Sequence, residues 1–179
     1  MDAAHDISVL NSLITTTIDS ANGFERSAEN AKGGGLEQMF TEFGSERRRV
    51  VAQLQAQVRN LGGEPEDDGS LKADLHRRFE DLRKAFGGGD KAVIEEVERG
   101  EDYIKGKYET ALQDQGLSPA ARSAIEEAYV SVKAGHDRAS ALKHAQNGDT
   151  GALAGQYQQA VGGGDPDGLN ASSAAGPAI

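Results

Sequence analysis

Residues 39–61 read MFTEFGSERRRVVAQLQAQVRNL. Met39, Phe40, Phe43, Val50, Leu54, Val58 and Leu61 recur three or four residues apart, the period of one helix face. Gly62-Gly63 follows as a C-terminal stop signal. A helix from about 36 to 61 is therefore expected. Its apolar stripe breaks once, between Phe43 and Val50, where Glu46 and Arg47 flank the centre of the inward face. The same kind of break recurs on three other stretches.

Upstream, Ile7, Leu10, Ile14, Ile18, Ala21 and Ala28 define a first helix, with Asp6 as the expected N-cap. The β-branched run Thr15–Ile18 weakens intrinsic helix propensity, but the apolar period favours helix. The glycines at 33–35 stop it and make a short connector. Beyond Gly63, Glu64-Pro65-Glu66-Asp67-Asp68-Gly69 is an acidic link containing a helix-breaking proline. A short third segment is expected from Ser70 to Phe86, with Leu71, Leu75, Phe79 and Leu82 on one face. Asp90 is the expected cap of a helix to about Gln115, with Val93, Val97, Ile104 and Tyr108 inward. Ser118-Pro119 predicts an N-cap followed by proline in the first helical position. The last long helix carries Ile125, Ala128, Val132, Ala139 and Leu142.

Two hairpins of long helices are thus joined by one connection of about 28 residues, far longer than the loops of an up-down-up-down bundle. The expected fold is all-α: an antiparallel four-helix bundle over residues 1–146 with a short helix in its crossover. Residues 147–179, rich in Gly, Ala and Ser, read as a flexible tail.

Each long helix interrupts its core face with an ionisable group. At about 100° per residue, Glu25 falls about 20° from Ile14, Glu101 about 40° from Val97 and His136 about 40° from Val132. Counted outward from the two hairpin turns, Glu25 faces Glu46, and Glu101 faces His136, each to within about half a helical turn. One polar layer through the bundle is the simplest reading. Buried charges need partners or a metal. Three carboxylates and one imidazole suit a divalent cation. Arg47, Arg49 and Lys133 could instead neutralise the carboxylates, or Glu46 and Glu101 could snorkel to the surface.

The layer resembles the ferritin-type di-iron pattern, in which two helices give Glu and two give Glu-x-x-His. This chain offers Glu25, Glu46-x-x-Arg49, Glu101 and Lys133-x-x-His136. Arg49 stands for one histidine and Lys133 for one glutamate, so cations replace two ligands. The chain also resembles the bacterial PA2169-type four-helix-bundle family, a ferritin-like domain of unknown function. Val9-Leu10-Asn11-Ser12-Leu13-Ile14, Arg59-Asn60-Leu61-Gly62-Gly63-Glu64-Pro65, Glu98-Arg99-Gly100-Glu101-Asp102 and His136-Asp137-Arg138 carry that resemblance, over roughly residues 6–145. It implies a ferritin-like fold and no stated activity. Two functions follow as expectations. One is a metal-free or weakly metal-binding helical interaction or stress module. The other is a protein that binds iron or manganese through Glu25, Glu46, Glu101 and His136, with oxidase or peroxide chemistry.

Composition narrows the partners. Twenty-nine acidic against 19 basic residues give a net charge of −10, which repels phosphate backbones. With no cysteine, thiolate metal sites and cysteine nucleophiles are excluded. Met1–Asp6 lacks the features of a signal peptide, and no apolar run reaches the length of a membrane span. A cytoplasmic protein with no nucleic-acid or membrane partner is expected, and bundles of this kind often pair through outer helix faces.

Overall fold

The structure, a computed structural model, describes residues 2–30, 35–69, 81, 84, 87 and 89–146. Within them lie four long helices: α1 (Ala3–Asn30), α2 (Gly35–Asn60), α3 (Asp90–Leu112) and α4 (Pro119–Gln146). No described residue is in a strand. The expected all-α four-helix fold is the fold observed. Most of the expected crossover helix, and the whole tail from 147, lie outside the described residues.

Side-chain bonds fix the order of the helices. Arg48 on α2 bonds Glu25 and Asn22 on α1. Glu46 and Glu42 on α2 bond Ser131 and Arg138 on α4. Tyr129 and His136 on α4 bond Glu109 and Asp102 on α3. Tyr108 on α3 bonds Thr17 on α1, and His5 bonds Asp114 just past α3. Around the square the order is α1, α2, α4, α3. In each adjacent pair the residue numbers run in opposite directions, so neighbours are antiparallel. Diagonal partners are therefore parallel. α2 and α3 point the same way, which is why the chain needs a connection as long as the bundle between them.

The ends explain where helices start and stop. α1 begins earlier than expected: Asp2, not Asp6, caps it, its Oδ1 accepting from the Ala4 N–H at 3.0 Å. Asp6 lies in the first turn, buried, and accepts from the Ser118 N–H at 3.0 Å. A carboxylate there favours the N-terminus of α4. Ser118 is the expected cap, its Oγ accepting from Ala121. Asp90 is not a cap: it is already helical, and Gly89 precedes it with no side-chain cap bond. α3 ends three residues before Gln115, where Arg122 donates to the carbonyls of Leu112 and Asp114, both at 2.6 Å. Those carbonyls would otherwise lack partners at a helix end.

α2 closes as its glycines predict. Gly63 N–H donates to Val58 and Gly62 N–H to Arg59, the paired bonds of a Schellman motif. Asn11 then anchors the acidic link, donating to the Glu64 carbonyl and accepting from the Glu66 N–H.

Inside, the apolar residues form two clusters. The larger gathers Leu10, Ile14, Leu54, Val58, Ile104 and Ile125 with their neighbours. The smaller gathers Phe24, Phe40, Phe43, Val93, Val97 and Ala139. Fully burying each large side chain stabilises by roughly 1.5–3 kcal/mol. Leu142, expected inward, is 36 % exposed. Among the described residues no helix is long and apolar enough to cross a membrane.

Gly62 sits at φ 79°, in the left-handed region that costs other residues about 1–2 kcal/mol. Gly62→Ala should lower stability by about 1 kcal/mol in urea unfolding. An unchanged midpoint would mean that the chain leaves α2 by some other geometry.

Candidate functional site

Between the two apolar clusters α2 turns Arg47 inward. It lies four residues after Phe43 and three before Val50, both buried, so no rotation of α2 that keeps them inside can expose it. Glu101 occupies the equivalent place on α3, between Val97 and Ile104. Both side chains are fully buried, and Arg47 Nη2 donates to Glu101 Oε2 at 2.5 Å. The bond runs along the diagonal of the square, joining the two parallel helices through the centre. Burial is the main influence on the Glu101 carboxyl and pushes it above its usual range, against the pull of Arg47. His136 also draws it down, while Glu46 adds to the rise. These charges therefore share one neighbourhood.

α4 makes room for the pair with Gly135, which is buried in the helix interior. A Cβ there would stand 2.6 Å from Arg47 Nη2 and 2.7 Å from Glu101 Oε2. Gly135 thus belongs to the site, although its side chain is a hydrogen. Sequence reading passed over it. The signal was a glycine on the apolar stripe, between Val132 and Ala139, where a close approach is one standard explanation.

The other residues of the expected layer lie around this pair. Glu46 is half-buried and accepts from Ser131 Oγ at 2.7 Å. His136 pairs with Asp102 at 2.9 Å and with Asp137 at 3.1 Å. Lys133 is exposed and pairs with Asp137 at 2.6 Å. Arg49 is exposed as well. The cation that meets a core carboxylate is Arg47, not Arg49 or Lys133. Glu25 lies outside the centre. Phe24 is buried in its place, and Glu25 forms a two-pronged bond with Arg48 at 2.8 and 2.7 Å on the surface. That bond is the first cause holding the Glu25 carboxyl below its usual range. Among the described residues no group of three or more His, Asp or Glu is placed to hold a metal ion.

Two turns along α3 from Glu101, toward the larger cluster, Tyr108 is buried and bonds Thr17 at 2.8 Å. Burial pushes its hydroxyl up to about 12.

A family model described as "Domain of unknown function (DUF2383)" matches residues 5–114. The chain belongs to the DUF2383 family. The matched span holds α2, α3 and all but the first two residues of α1, and with them Arg47 and Glu101. It ends before α4, so Ser131, Gly135 and His136 lie beyond the part that defines the family match. Recognition from sequence as a helical domain of unknown function agrees with this. No curated protein matches the chain.

Gly100 and Gly106 give an internal control for Gly135, since a Cβ at either meets nothing within 4 Å. Alanine there should stabilise α3 by up to about 1 kcal/mol, the propensity difference from glycine. Gly135→Ala should do the opposite, with a net loss of about 1–2 kcal/mol from overpacking against two locked side chains. Chemical denaturation of the three variants checks this. A stabilising Gly135→Ala would show that the pair can move aside.

Proposed function

We propose that this chain is a metal-independent, ferritin-like helical module that acts through its surface, as an interaction or stress module. One observation carries the reading: Arg47 places a guanidinium on Glu101 in the middle of the bundle. The helix order, with parallel α2 and α3 joined by one long crossover, supports the ferritin-like part. In di-iron bundles of that shape the central positive charge belongs to the metals. Here a side chain supplies it.

The donor set does not fit a two-metal centre. Of the positions that would give ligands, Glu101 is bonded to Arg47, and Glu25 is turned out to Arg48. Arg49 and Lys133, where a histidine and a glutamate would be needed, are both exposed cations. Freeing Glu101 for a metal would leave a buried guanidinium without its counter-charge, which costs several kcal/mol.

A second reading keeps one weakly held iron or manganese ion on Glu46, Glu101 and His136, with Glu25 reaching in. It is favoured by the electrostatic contact of Glu46 and His136 with Glu101. The two readings differ in a direct measurement. Untagged protein should contain well under one equivalent of iron, manganese or zinc, and a chelator should leave its melting temperature unchanged within about 1 °C. A full equivalent of metal, with a drop of several degrees on chelation, would establish the second reading instead.

A further inference from the structure

The Arg47–Glu101 pair carries more hydrogen-bonding capacity than the protein around it uses. A guanidinium has five N–H donors, and a carboxylate has two acceptor oxygens. Nη2 donates one of these N–H groups to Oε2. Arg47 Nε, Arg47 Nη1 and Glu101 Oε1 are buried and have no hydrogen-bond partner among the described residues. Leaving such groups unsatisfied is costly, and more so when they are charged.

Tyr108 adds an acceptor nearby. Thr17 has one hydroxyl proton and gives it to the Leu13 carbonyl at 2.7 Å. The proton in the Thr17–Tyr108 bond must then come from Tyr108, which leaves the Tyr108 oxygen lone pairs for another donor. Arg47 lies within electrostatic reach of Tyr108.

We propose that the centre of the bundle is a hydration site, holding at least one ordered water molecule between Arg47 and Glu101. The water accepts from Arg47 Nη1 or Nε and donates to Glu101 Oε1. Its chemistry is matched by no simple ion. An anion drawn by Arg47 would meet the carboxylates of Glu101 and Glu46. A cation drawn by the carboxylates would meet the guanidinium. A small neutral molecule that both donates and accepts satisfies both sides, and internal waters typically make about three such bonds. The site is distinct from any metal reading, because it requires Arg47 to stay in place.

Two measurements on the full, unmodified chain test this. A high-resolution crystal structure should show a density peak of water size within about 3.2 Å of Glu101 Oε1 and of Arg47 Nη1 or Nε. In labelled protein in solution, the Arg47 Nε–H or Nη1–H should show magnetisation transfer from a long-lived water. The proposal is overturned if both carboxylate oxygens close on the guanidinium as a two-pronged fork with no density between them. It is equally overturned if the density is an ion, or if resolved resonances of both the Arg47 Nε–H and Nη1–H groups show no transfer from water.

Discussion

A single buried ion pair, Arg47 with Glu101, constrains the rest of this molecule. Two opposite charges with no exposed surface have lost their hydration, and each must answer for the other. Such a pair is a poor source of net stability, since desolvation offsets most of the attraction. It is a strong source of specificity. α2 cannot slide or rotate against α3 without separating the charges in a medium that punishes separation. Apolar clusters tolerate sliding better, because one aliphatic contact resembles the next. The pair lies between two such clusters and sets the register of both.

Its consequences spread to each helix. α4 must present glycine where it crosses the pair, and accepts the weaker helix that glycine brings. α1 contributes Phe24 and the Tyr108 partner Thr17, one on either side of the polar centre. Bonds at the far end hold the ring closed: His5 to Asp114, Asp6 to Ser118, and Arg122 to the end of α3. Those bonds are local and replaceable. The ion pair instead joins two diagonal helices through the bundle centre, a task that bonds between neighbouring helices cannot perform.

Much of this was legible in the sequence. Four stripes of period 3.6 and one long connection gave an all-helical bundle with a crossover. Gly62-Gly63 and Ser118-Pro119 marked real helix ends, since each encodes a specific bond. Glu101 lay on the α3 stripe between Val97 and Ile104, and of the readings open for it the buried one is observed. Elsewhere the helical wheel was too coarse. Glu46 and Arg47 flank the same inward direction, and it is Arg47 that goes to the centre, where Glu101 is its partner and Gly135 leaves it room. Glu25 lay near the α1 stripe, but Phe24 beside it has far more apolar surface to bury and turns Glu25 outward. At Asp2 and Asp6 two equally good caps compete, and a loop more than a hundred residues away claims the second. At 24/25 and 46/47 the outcome is a tertiary choice between adjacent residues that a helical wheel places close together.

The most direct test is a double-mutant cycle on the pair, with Arg47→Met, Glu101→Leu and both together, followed by urea unfolding. Each single variant leaves one buried charge unpaired and should lose roughly 3–5 kcal/mol, whereas the double variant should recover most of that loss. A coupling energy of at least about 2 kcal/mol is the expected result. Additive losses, or single variants within about 0.5 kcal/mol of the parent, would mean that these two side chains are not buried against each other, and the account of the bundle centre would be wrong.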